Sequence, residues 1–309
     1  MKIIFICIFH LLSIFNFAQS FKNPYLIVLG TIQDAGSPHM GCQKSCCEEL
    51  FKNPDASRKV VSLGIIDPLE KKYWLIDASP DFPSQCKILK STAGFNHKET
   101  PDGIFLTHAH IGHYTGLMYL GKESMNSVDI PVYAMPRMQE FIAVNGPWSQ
   151  LLKIKNIKLN KINTEEKIQL SRNISITPFL VPHRDEFSET VGYKIEGQKK
   201  TILFIPDIDK WEKWSKELVK EINKVDLALL DGTFYDSKEI NNRNISEVPH
   251  PFVTETMVLL GIEPKNEKSK IKFIHLNHTN PLLDSLSYES NNLLKNGFGI
   301  AKFKEIIWL

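Results

Sequence analysis

Three histidines fall within one hexapeptide, His108-Ala109-His110-Ile111-Gly112-His113, directly after the apolar run Gly103-Ile104-Phe105-Leu106-Thr107. Neutral imidazole is a common ligand of zinc and its neighbours in the first transition row. A strand that opens into a loop aims alternate side chains at one point, so His108 and His110 converge. His113, at the start of the following helix, is offset toward a second point. Three further polar residues stand at the mouths of apolar runs: His183 after Phe179-Leu180-Val181-Pro182, Asp207 after Leu203-Phe204-Ile205-Pro206, and His275 after Ile271-Lys272-Phe273-Ile274. Singly, each reads as a strand-end cap or a loop hydrogen-bonder, and it is their order along the chain that matters.

A second group is made of sulfur. Cys42, Cys46 and Cys47 lie within six residues, while Cys86 stands alone. Thiolates this close suit a structural zinc, which three cysteines and one outside ligand would close tetrahedrally. His39 is the nearest candidate for that fourth position. In an oxidising compartment the competing reading is a disulfide from Cys86 to one of the three.

Placing these residues requires strands that end together. Apolar segments at 25–30, 60–67, 72–77, 103–107, 131–134, 174–180, 190–195, 201–206, 226–230 and 271–276 read as strands. Helical periodicity and start signals place helices at 111–120, 136–144, 211–222, 252–260 and 285–295. The polar stretch 153–166 reads as a surface connection. Strands and helices alternate without an internal repeat or a long linker, which makes this an α/β chain.

With 309 residues, 42% of them hydrophobic, the chain can bury a substantial core. Lys+Arg 37 against Asp+Glu 35 leaves a formal net charge of +2, so bulk electrostatics give no reason to expect a nucleic-acid partner. Residues 1–19 are different in kind. Met1-Lys2 precedes an almost unbroken apolar run to Phe17, followed by Ala18-Gln19-Ser20. This is the pattern of a secretory signal peptide cut close to Ala18, too short for a spanning helix. An exported protein of residues 20–309, periplasmic or secreted and without a stable membrane span, is expected.

The ordered set His-x-His-x-x-His, His, Asp, His resembles the metallo-β-lactamase superfamily. That resemblance implies an αββα sandwich, two β-sheets between helical layers, across 20–309. It assigns His108, His110 and His183 to a first metal, His113 and His275 to a second, and Asp207 to both. The superfamily usually carries Asp where this chain has Gly112, which leaves the second position only His113, Asp207 and His275. Two equally tight ions would then need another donor, for which Asp34 in the 30–38 loop is available.

Closer likeness lies in 29–38 (Leu-Gly-Thr-Ile-Gln-Asp-Ala-Gly-Ser-Pro), 204–211 (Phe-Ile-Pro-Asp-Ile-Asp-Lys-Trp), 230–234 (Leu-Asp-Gly-Thr-Phe) and 277–281 (Asn-His-Thr-Asn-Pro). These segments resemble the pyrroloquinoline quinone biosynthesis protein B (PqqB)-like family. Like that family and the phosphonate-pathway phosphodiesterases, the chain has a cysteine cluster near its start, though not spaced as Cys-x-Cys-x-x-Cys. Likeness to ribonuclease Z-type phosphodiesterases further implies that Asp231 pairs with His250 as a catalytic proton donor, the carboxylate holding the tautomer and raising the ring's basicity. The resemblances together imply a metal-dependent hydrolase that uses a metal-activated water on an ester, amide or phosphodiester in a small-molecule substrate. An iron-dependent oxidative step in cofactor biosynthesis is the alternative, and a non-catalytic metal-binding protein the third reading.

Overall fold

The computed structural model describes residues 23–95, 98–240 and 248–309. The signal peptide expected over 1–19 lies outside the described residues. Buried β-branched and aromatic runs form two seven-stranded sheets. The first contains β1 (Tyr25–Gly30), β2 (Ser62–Asp67), β3 (Lys72–Ile76), β4 (Gly103–Phe105), β5 (Ile130–Ala134), β6 (Ile157–Lys161) and β14 (Ile306–Trp308), in the order β14-β1-β2-β3-β4-β5-β6. The second contains β7 (Ile168–Gln169), β8 (Ser175–Leu180), β9 (Val191–Glu196), β10 (Thr201–Ile205), β11 (Leu227–Asp231), β12 (Ile271–Ile274) and β13 (Gly299–Ile300), in the order β13-β12-β11-β10-β9-β8-β7.

Leu63, Ile65 and Phe105 of one sheet face Ile176, Tyr193, Phe204 and Leu229 of the other in a shared inner core. Helices cover both outer faces. On the first, α2 (Phe82–Ala93), α4 (Pro136–Val144) and α5 (Trp148–Lys153) bury Leu89, Ile142 and Leu151 against Leu75, Ile104 and Val132. On the second, α6 (Leu218–Ile222), α7 (Val253–Leu259) and α9 (Tyr288–Lys295) bury Ile222, Val253 and Leu293 against Ala228 and Phe273. Each such side chain contributes on the order of 1.5–3 kcal/mol by leaving water. This is the expected αββα sandwich.

β3 to β6 run parallel, as do β10 to β13. In such sheets a crevice opens beyond the carboxyl ends of the strands, where loops carry chemistry. A single residue stitches the two sheets together near that crevice, because Ile32 bridges both Val60 and Leu276.

Several elements differ from expectation. The stretch 153–166 contains β6, an edge strand whose Ile157 turns inward while lysines cover its outer face. Segment 111–120 is α-helical only over α3 (Ile111–Tyr114) and tightens to a 3-10 helix over Thr115–Leu120. Segment 211–222 is a 3-10 turn, Trp211–Lys213, followed by the separate α6, because Trp211 and Trp214 are drawn into the core. Helix α2 was not anticipated, although Pro83 near its start and Gly94 at its end are ordinary boundary signals.

Candidate metal centre

Strands of both sheets that end at one crevice deliver the ligand set: β4, β10 and β12 lie in the parallel portions, and β8 pairs antiparallel with β9. His108 follows β4 and Thr107, His183 follows β8, Asp207 follows β10, and His275 follows β12. His108, His113, Asp207 and His275 are all buried. Two groups of donors converge, each with its ligand atoms within 4.8 Å of one another: His108, His110, His183 and Asp207 form one, and Asp34, His113, Asp207 and His275 the other. Asp207 belongs to both. Its Oδ2 lies 3.3 Å from His108 Nε2, 3.8 Å from His113 Nε2 and 3.7 Å from His275 Nε2, and its Oδ1 lies 3.2 Å from His183 Nε2.

Buried polar atoms normally find hydrogen-bond partners. Here His183 Nδ1, His183 Nε2 and Asp207 Oδ1 are buried with none among the described residues. Other ring nitrogens here do find partners, His108 Nε2 with His110 Nδ1 at 2.9 Å and His113 Nε2 with Asp34 Oδ1 at 3.0 Å, but the three orphaned atoms converge as ligand atoms arranged for a cation do. Burial, only partly offset by Asp207, pushes His183 down to about 4 and holds His108 well below its usual range. Both rings are therefore neutral and offer lone pairs. His113 goes the other way: burial disfavours its charge, but Asp77 and Asp34 outweigh that and raise it well above the ordinary imidazole range. Its Nε2 faces Asp34 Oδ1 at 3.0 Å, a carboxylate that would equally balance a cation there.

An outer layer orients these rings. Asp77 is fully buried at the end of β3 and accepts from Thr107 N at 2.8 Å, from Thr107 Oγ1 at 3.0 Å and from His113 Nδ1 at 2.7 Å. Thr107 Oγ1 also lies 3.0 Å from His108 Nδ1. Thr233 plays the same part for His275, with Oγ1 2.8 Å from Nδ1, and itself donates to Asp231 Oδ1 at 2.7 Å. Carboxylates and hydroxyls behind ligating imidazoles fix the tautomer and raise ligand basicity. Asp77, Thr107 and Thr233 escaped the sequence reading because hydroxyls and strand-end aspartates are common everywhere.

Asp231 and His250 meet. Asp231 closes β11, and its Oδ2 lies 2.8 Å from His250 Nδ1, which is also 3.1 Å from Asp207 Oδ1. Burial would lower the ring's pKa, but Asp231 and Asp207 together raise it to about 10. This buried ring groups with Asp207, Asp231 and His275, all their ligand atoms within 4.8 Å of one another.

Asp34, the donor named from the sequence as available, does lie beside the second position. Its Oδ1 lies 3.0 Å from His113 Nε2 and 3.1 Å from His275 Nε2, so that group has four protein donors rather than three. The cysteine cluster also differs from expectation. Cys42, Cys47 and His278 form a third donor group, whereas His39 stacks on the His278 ring at 4.5 Å and accepts from Gly41 N. Exposed Cys46 places its Sγ 3.8 Å from Cys42 Sγ and 4.0 Å from Cys47 Sγ. Burial, the His39 ring and Lys44 push His278 down to about 4, leaving it neutral. Cys86 is a free thiol within α2, packed among apolar side chains, so the alternative disulfide is not formed.

A family profile described as the β-lactamase superfamily domain matches residues 73–264, well over half of the chain. The chain therefore belongs to the metallo-β-lactamase superfamily. Within it the chain is PqqB-like: it is 24% identical over 302 residues to coenzyme PQQ synthesis protein B of Xanthomonas axonopodis, covering 89% of this chain and 97% of that relative. The corresponding protein of Methylorubrum extorquens is 23% identical over 306 residues, covering 90% and 97%. Among solved structures, Zn(2+)-bound PqqB from Methylobacterium extorquens superposes with a TM-score of 0.75 at 22% identity, over 92% of this chain and 100% of that one. A diphosphatase of the PhnP family gives 0.64 at 20% identity, over 93% and 99%. Among the described residues, no helix is long and apolar enough to cross a membrane.

Proposed function

We propose that the chain is a metal-dependent hydrolase that directs a coordinated water at an ester, amide or phosphodiester in a small-molecule substrate. The observation that carries this reading is the Asp231–His250 pair set against Asp207, with 2.8 Å and 3.1 Å separating His250 Nδ1 from the two carboxylates. A bound ion supplies Lewis acidity at this mouth and brings the pKa of a water ligand toward neutrality. His108, His110, His183 and Asp207 would hold one such ion, and His113, Asp207 and His275 contribute to a second. Their nitrogen and oxygen donors suit zinc. Once Asp207 is committed to cations, Asp231 is the carboxylate that keeps His250 protonated. That proton is then available to a departing oxygen or nitrogen, which is the task of a general acid. Asp231 is itself fixed by the amide and hydroxyl of Thr233 and by the amide of Ile208. Cys42, Cys46, Cys47 and His278 would hold a structural zinc away from the reaction.

A second reading is an iron-dependent oxidative step, favoured by the role in coenzyme PQQ synthesis named for the curated relatives and by a histidine-carboxylate set that also suits iron. From residues 1–19 alone, we further propose that the chain is exported. One experiment separates the chemistries. Protein purified without an affinity-tag metal is analysed for zinc and iron, then assayed on esters, amides and phosphodiesters with good and poor leaving groups. Hydrolysis is expected, and His250→Ala should slow it by about 10²–10⁴-fold for poor leaving groups and far less for good ones. Oxygen consumption by iron-loaded protein that hydrolyses none of the panel would reverse the order of the two readings.

A further inference from the structure

Gly112 and Asp34 occupy each other's space. A Cβ built on Gly112 would stand 2.6 Å from Asp34 Oδ1 and 2.7 Å from both its Cα and its Cγ. The nearest obstacle includes backbone, so a side chain at position 112 would require the 33–36 loop to move. Conversely, the Asp34 carboxylate fills the volume into which a residue at 112 would project. Its Oδ1 faces His113 Nε2 at 3.0 Å and His275 Nε2 at 3.1 Å, and its side chain is only 10% exposed.

The loop is anchored for this purpose. Gln33 N donates to Leu276 O at 3.0 Å, and Leu276 N donates to Thr31 O at 2.7 Å, so Asp34 hangs from the residue next to His275. Gly36 then turns the chain away with φ +77, a left-handed conformation that glycine adopts without strain. The carboxylate thus reaches the centre from a fastened loop packed directly against Gly112 of α3.

We propose that Asp34 is a ligand of the second metal position and replaces, from another part of the chain, the carboxylate that position 112 lacks. This inference rests on the metal-centre reading above and names the donor that completes it. Its rival is a role confined to pairing with protonated His113.

The test counts ions in the full chain. Zinc is titrated into apo wild type, Asp34→Asn, Asp34→Ala, Gly112→Asp and the exchange variant Asp34→Gly/Gly112→Asp, with bound metal measured by elemental analysis and affinities by calorimetry. Wild type is expected to hold two ions at the histidine centre beyond the cysteine-bound one. Asp34→Asn, nearly the same shape, should weaken one of them by on the order of 100-fold, the upper end of what outer-layer partners contribute. Gly112→Asp alone should weaken the same ion by displacing Asp34, and the exchange variant should recover at least part of the loss. Circular dichroism of each apo protein identifies any variant that fails to fold, and Asp34→Asn carries the decision in that event. Two ions held by Asp34→Asn as tightly as by wild type would overturn the proposal and leave the metal centre standing. A wild type holding no zinc beyond the cysteines would overturn both.

Discussion

The histidine centre and the cysteine cluster are both sets of ligand atoms without hydrogen-bond economy, yet they are held in different ways. Behind His113, His108 and His275 stand Asp77, Thr107 and Thr233, all buried and hydrogen-bonded within the chain. Behind Cys42 and Cys47 stand two backbone amides, Lys44 N at 3.4 Å and His39 N at 3.3 Å, where the chain enters a short helix, Ser45–Lys52. The first region is organised by buried side chains of the fold. In the second a bound ion would add to the order, because metal binding by assembled thiolates is coupled to folding.

That contrast can be broken at three points. The largest effect is expected from Asp77→Ala, which strips the partner from Thr107 and His113 in a fully buried place. Removing one member of such a network typically costs about 3–5 kcal/mol. Denaturant unfolding of metal-free protein measures it, and a cost no greater than that of a cysteine variant would erase the distinction between the regions. Next comes His110→Ala, whose ring is half-buried and whose removal leaves the outer layer intact. The variant should lose the first-position ion in elemental analysis while its apo stability stays within about 1 kcal/mol of wild type. Wild-type metal content would show the assignment of that position to be wrong. The smallest effect is expected from Cys47→Ser: zinc-loaded protein should melt about 2–4 °C lower, and chelation should abolish the difference from wild type. A difference that persists in chelator would mean that the thiol contributes by packing rather than by binding metal.

How legible each region was in the sequence follows from the same contrast. Ligands at strand ends announce themselves, because an apolar run that stops at a histidine or aspartate names both the strand and the side chain that leaves it. His108, His183, Asp207 and His275 were all visible this way, and the mixed α/β sheets that gather them follow from the alternation of strands and helices. Asp34 could be named only as an available donor in the 30–38 loop: it is 241 residues from His275 in sequence, and no spacing rule links a turn near one terminus to a strand end near the other. His278 was quoted within a motif but not as a donor, since His39 stood nearer to the cysteines along the chain. Edge strand β6 was hidden by its lysines, which keep an exposed sheet edge soluble. The segment from Trp211 to Ile222 has helical spacing throughout, yet burying two tryptophans outweighs the few tenths of a kcal/mol per residue that helix propensity offers.

The loop that carries Asp34 continues into the cysteines. It is fastened at Gln33 to Leu276, and His278, two residues beyond Leu276, belongs to the same donor group as Cys42 and Cys47. An ion on the thiolates therefore closes this stretch of chain into a ring, both of whose fastenings lie beside His275. Ring closure removes conformational freedom from everything between the fastenings, and Asp34 lies just inside one of them. Zinc bound at the cysteines would then lower the entropy lost when Asp34 is fixed in the buried pocket, without touching that pocket. Thermodynamic reciprocity makes the influence mutual: filling the pocket must tighten the grip of the cysteines by the same factor.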